Sequence, residues 1–100
     1  MGFIMVYVTH PSKESAKRII SVLLEKKLIA CANTFPIMSN YVWKNEIKED
    51  EEFVSILKAK SENFEEIKKE IKKIHEYDVP CITKIDVSAN PEFDDWVNSF

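Results

Sequence analysis

Glycine is nearly missing from this chain: Gly2 is the only one among 100 residues. That deficit removes several kinds of machinery at once. A loop that cradles phosphate needs glycines so that backbone N–H groups can approach the anion, and no such loop is present. G-x-S-x-G fails for the same reason, and H-E-x-x-H is absent as well. Arginine is equally scarce. Arg18 stands alone, which takes away the planar fork that usually recognises phosphate or carboxylate in bidentate fashion. The two cysteines, Cys31 and Cys81, are fifty positions apart and form no CxxC, so neither a disulfide scaffold nor a structural zinc site is indicated. No apolar run approaches membrane-spanning length. A formal net charge of −3 gives no reason to expect nucleic acid as a partner.

What remains is ordinary globular composition, 45% hydrophobic and 31% charged, enough for one domain over residues 1–100 with little core to spare. The start MGFIMVYVTH has no basic region and no cleavage signal. Val6 stands where a myristoylation signal needs Ser or Thr. A soluble, cytoplasmic protein is expected.

Along the chain, Phe3 to Thr9 reads as a strand buried on both faces, ending before His10-Pro11. Ser12 caps a helix with Ala16, Ile19, Ile20, Leu23 and Leu24 at helical spacing, closed by Lys26 and Lys27. From Ile29 to Trp43 the pattern is strand-like, with Pro36 as a bulge or kink. Lys44-Asn45 makes a two-residue hairpin turn, and the return strand runs from Glu46 to Lys60. At roughly 3.3 Å per residue each arm would reach about 45 Å, so the tip is expected to project past the domain. Ser61 opens a second helix with a stripe of Phe64, Ile67, Ile71 and Ile74, ending near His75. A fourth strand covers Cys81 to Val87, and Asn90-Pro91-Glu92 starts a short helix burying Phe93, Trp96 and Val97. The order βαββαβ plus a terminal helix is the ferredoxin-like, split-βαβ arrangement of the α+β class: an antiparallel sheet with both main helices on one face.

An oligomer follows from the other face. Helix-covered sheets alternate apolar and polar residues when the second face meets water. Here Ile4, Val6 and Val8 point one way, Phe3, Met5 and Tyr7 the other, and the return strand is likewise apolar at both parities. The short C-terminal helix is expected to cover part of that face and partner subunits the rest; the alternative is that the long hairpin bends over its own sheet.

For chemistry, the topology brings His10, His75 and Cys81 to one sheet end. Two imidazoles and a thiolate suit Zn²⁺ or copper, although three residues from separate loops without ligand spacing fit two ordinary loop histidines and a buried thiol better. Cys31 starts the second strand at the opposite end. If Trp43 pairs with Glu46, Cys31 falls opposite Lys58; a bulge at Pro36 would shift it to Leu57. Lys58 would lower the thiol pKa, or else merely cap the sheet edge. The run Glu46, Glu49, Asp50, Glu51 and Glu52 reads as solvated surface. An acylphosphatase-like arginine loop and the aromatic segments of an RNA-binding βαββαβ domain are both missing.

The segments IMVYVTHPSKESA, KKLIACANTFP, YVWKNEIKEDEE, VSILKAK, HEYDVPCI and FDDWV, in this order, resemble the CutA divalent-cation tolerance family from about Ile4 to Val97. The resemblance implies a homotrimer, a role in tolerance of copper or another divalent cation, metal ions as partners, no organic cofactor and no enzymatic reaction. It further implies an inter-subunit cleft around Cys31, Asn33, Trp43, Lys58 and Tyr77; Cys31, His75 and Cys81 are the candidate metal donors that the residues themselves offer. Glu76, Asp78 and Cys81 depart from the family's usual residues, and Asn45 stands at a turn position often held by glycine. A regulatory module binding a small ligand at the clefts, or a structural docking trimer, are the alternatives.

Overall fold

The computed structural model describes residues 1–100. Its elements are β1 (Phe3–His10), α1 (Lys13–Glu25), β2 (Cys31–Trp43), β3 (Glu46–Ala59), a 3-10 turn (Ser61–Asn63), α2 (Phe64–Ile74), β4 (Ile82–Val87) and α3 (Pro91–Asn98). The strands form one antiparallel sheet in the order β2-β3-β1-β4, the ferredoxin-like βαββαβ arrangement with a long β2–β3 hairpin and an added C-terminal helix. No helix is long and apolar enough to cross a membrane.

Alternation along β1 sends Ile4, Val6 and Val8 to one side, where they meet Leu57 and Ala59 of β3. Ile19 and Leu23 of α1 and Ile67 and Ile71 of α2 close over them. Each such side chain contributes roughly 1.5–3 kcal/mol by leaving water, so this layer carries most of the fold. Glu70, buried on α2, ties the helices by pairing with Lys26 at 3.4 Å and Lys73 at 3.1 Å.

Helix α1 starts where its cap is made: the Ser12 hydroxyl accepts the Ser15 N–H at 3.1 Å from an extended residue. Ser12→Ala is expected to cost about 1 kcal/mol, read as a lower midpoint with an unchanged slope in urea unfolding. Lys26 and Lys27 lie just past the last helical turn, where the chain reverses through positive φ at Lys27 (56°).

The hairpin turns at Lys44 and Asn45, with φ of 50° and 67°, the two positive values that a tight turn needs to match strand twist. Register runs unbroken from Trp43↔Glu46 to Cys31↔Lys58, and Pro36 sits in it opposite Phe53. The expected bulge at Pro36 is therefore absent. Because β2 is an edge strand, a residue without an N–H can stand in the ladder where no further strand asks for one. Strand β1 stops at His10↔Phe53. Pairs from Ile37↔Glu52 outward to the tip have no third strand and form a free arm roughly 20 Å long.

Helix α3 lies on the sheet's other side. Val97 joins Phe3 and Ala30 in a second small cluster, flanked by Met5, Phe93 and Phe100. Trp96, expected inside, is instead 44% exposed. A helix of eight residues has one inward stripe, and here it is filled by Phe93, Asp94 and Val97. Asp94 is accommodated by the Asn98 amide, which donates to its backbone oxygen at 2.9 Å and its carboxylate at 3.3 Å.

Candidate functional site

Strand parity defines the helix-free face. Met5, Tyr7 and Thr9 of β1 pair with Lys58, Ile56 and Val54 of β3, which pair in turn with Cys31, Asn33 and Phe35 of β2. Helix α3 covers only the end near Phe3. Farther along, Tyr7 and Ile56 are half-buried, while Phe35 and Ile85 are 39% and 46% exposed. The same parity continues into the free arm through Ile37, Ser39, Tyr41 and Trp43. This face and its overhang carry the candidate site.

At the end where β2 begins, Cys31 stands directly opposite Lys58. The Lys58 ammonium donates to Asn33 Oδ1 at 2.8 Å and lies 5.6 Å from the Phe93 ring centre. Three of the expected cleft residues are thus neighbours. The expected lowering of the thiol is not what the site produces: burial pushes the Cys31 pKa up and outweighs the attraction of Lys58.

Trp43 and Tyr77 belong to a second group, roughly 30 Å away along the hairpin. They line a hollow of about 860 Å³ between the arm, Tyr7 and Thr9 of β1, and the loop that precedes β4. The Tyr77 hydroxyl donates to Glu52 Oε2 and the Tyr41 hydroxyl to Asp50 Oδ2. Burial and then the Glu52 bond push the Tyr77 pKa well up, and the Asp50 bond raises that of Tyr41. Glu52 corrects the reading of the acidic run as surface: it is 9% exposed, whereas its neighbours in the run stay in solvent. Its parity with Val54 was the available signal. Cys81 also lines the hollow, with Sγ 3.5 Å from Thr83 Oγ1.

His10 and His75 do meet. Their rings stack at 5.6 Å and 17°. His75 is fully used, since Nε2 donates to the Thr9 carbonyl at 2.7 Å and Nδ1 accepts the Tyr77 N–H at 3.0 Å. His10 is the reverse case: it is fully buried and neither ring nitrogen has a partner. Burial, and then the neighbouring His75, bring its pKa down to about 4 against a smaller opposing pull from Glu52. The three expected metal donors do not converge within one subunit. Cys31 sits at the opposite sheet end from His75 and Cys81, and no three His, Cys, Asp or Glu side chains are grouped to hold a metal ion.

Comparison with known proteins matches this geometry. The model of the CutA1 divalent ion tolerance protein family covers residues 4–99. A divalent-cation tolerance protein CutA from Archaeoglobus fulgidus is 46% identical over 94 residues, which is 93% of this chain and 92% of the relative. A solved structure described as the periplasmic divalent cation tolerance protein CutA of that organism superposes with a TM-score of 0.92 at 45% identity, over 97% of this chain and 95% of that one. The PII-like protein CutA of Nostoc sp. PCC 7120, solved in its apo form, gives 0.89 at 28% identity over 99% and 95%. With nearly its whole length matched in sequence and in fold, the chain belongs to the CutA1 divalent ion tolerance family.

Proposed function

We propose that the protein works in the cytoplasm as a homotrimer that takes part in tolerance of divalent ions, copper among them, by binding or signalling and without catalysing a reaction. The helix-free face carries this reading. Its apolar residues lie open beside a free arm, and small domains cover such a patch by contact with other chains. A sister copy's arm laid across that face would bring the Trp43 and Tyr77 group of one subunit to the Cys31, Asn33 and Lys58 group of the next. The residues best suited to catalysis are poorly placed for it. His75 commits both nitrogens to backbone groups, and Cys31 is held toward its thiol form.

Since no donor set is complete in one chain, copper binding would need Cys31, His75 or Cys81 from more than one subunit. The test is calorimetric titration of Cu(I) under reducing conditions into wild type, Cys31→Ser and Cys81→Ser, each first checked for mass in solution. Loss of affinity by at least tenfold in either variant is expected. Unchanged binding in both defeats the cysteine-donor reading.

A second reading, a regulatory module that takes a small ligand at the clefts, is favoured by the 860 Å³ hollow. That volume falls in the range of small-molecule sites. A thermal-shift screen of metabolites tests it, because a ligand raises the melting temperature according to its concentration relative to Kd.

A further inference from the structure

We propose that Glu52 of one subunit and Lys58 of the next form an ion pair across the subunit interface, and that this pair fixes the register in which each arm lies on its neighbour. The inference rests on the homotrimer reading and names the two groups that hold its cleft together.

Each residue lacks in its own chain what the other supplies. Glu52 is 9% exposed, and no lysine, arginine or histidine nitrogen lies within ion-pair distance of it. Its side-chain partner is the Tyr77 phenol, and a carboxylate taken out of water with only a phenol beside it is costly. Lys58 is the complement. Its ammonium donates to the neutral Asn33 amide oxygen at 2.8 Å and rests 5.6 Å from the Phe93 ring centre, with no carboxylate in ion-pair reach. From the pair His10↔Phe53 inward, Lys58 is also the only charged residue that strand parity places on the helix-free face. A sister chain laid on that apolar face meets one fixed sheet charge, and it is positive.

The two groups cannot meet within one chain. Both stand on β3 with the same parity, but positions 52 and 58 are roughly 20 Å apart along the strand. The placement that brings the Tyr77 group of one subunit to the Lys58 group of the next carries Glu52 with it, because the Tyr77 hydroxyl is bonded to Glu52. The arm's other acids are answered elsewhere. Glu46 pairs with Lys48 at 3.8 Å, Asp50 is exposed and accepts the Tyr41 hydroxyl, and Glu49 and Glu51 have the opposite parity. Glu52 alone is both on the cleft side and withdrawn from water. An arm shifted along its neighbour would leave both charges covered and alone, so the pair penalises every wrong register.

The experiment is subunit exchange between ¹⁵N-labelled and unlabelled protein, followed by native mass spectrometry, for wild type, Glu52→Lys, Lys58→Glu and the double swap. Each single swap places like charges together and should speed exchange at least tenfold or leave single 11.7 kDa chains. The double swap restores opposite charges at every interface and should return exchange to within about threefold of wild type. Because lysine at the buried position 52 can disturb folding, Glu52→Gln, Lys58→Met and their combination are run alongside; the combination should lose no more than the worse single variant. Singles that exchange as wild type does, or double variants that lose the full product of the two single effects, overturn the pairing while a wild-type trimer keeps the homotrimer reading. A wild type that itself runs as a single chain removes both.

Discussion

Ile85→Lys is expected to convert a particle of about three times 11.7 kDa into one that runs as a single 11.7 kDa chain in light scattering. Ile85 is 46% exposed on β4, paired with Met5 on the helix-free face, so lysine there meets water in the lone subunit and disturbs little of its core. In the assembly the same side chain would be covered. Losing its apolar contact removes roughly 2 kcal/mol per subunit, and pressing an ammonium into a dry interface costs several more. Phe35→Glu, on the same face at the opposite edge of the sheet, should act alike. Leu24→Lys is the control: Leu24 is 43% exposed but lies on α1, on the sheet's other side, and its variant should keep the full mass. If Ile85→Lys and Phe35→Glu both retain the oligomer, the face is covered by something other than sister chains, and the cleft between subunits has no second wall.

Much of the fold is legible in local chemistry. The Ser12 cap, the Lys44-Asn45 turn and the pairing of Trp43 with Glu46 depend on residues within a few positions of one another, and the structure places each where short-range rules put it. Pro36 departs from expectation because its effect depends on whether β2 is an edge or an inner strand, a property of the whole sheet. Trp96 departs from it because helical spacing shows a stripe but not how much sheet remains to be covered. At the candidate site, the pairing of Cys31 with Lys58 is legible as register, whereas the sign of the thiol shift is not. That sign is decided by how far the thiol is buried, which outweighs the attraction of Lys58. Glu52 and Tyr77 are twenty-five positions apart, and no spacing rule joins them. His10 and Glu76 gain meaning only in three dimensions: one stacks on His75, and the other accepts the Ser15 hydroxyl's hydrogen bond, tying the loop before β4 to the first turn of α1.

His10 should make the protein lose stability as acid is added through a window set by its two pKa values. In the unfolded chain its imidazole titrates at 6.5; in the folded chain burial and His75 bring that to about 4. Between these values the unfolded state binds a proton that the folded state refuses, so unfolding is favoured increasingly as pH falls. The loss begins near pH 6.5, is complete near pH 4, and does not grow below that from this residue. Its full size is up to about 3 kcal/mol per subunit, since each tenfold change in proton affinity is worth about 1.4 kcal/mol. Glu52 works in the opposite direction and His75 in the same one, so the window reports the trio rather than a lone ring. His10→Phe removes both unpartnered nitrogens while keeping an aromatic ring to stack on His75. It should raise stability by about 1–2 kcal/mol at pH 7 and by more at pH 5, where the wild type is already penalised. Urea unfolding at pH 7.5, 5.5 and 4.5, at one fixed protein concentration because the assembly contributes to apparent stability, gives the answer. A wild type and a His10→Phe variant whose curves fall in parallel over that range would show that His10 is not what couples this fold to acid.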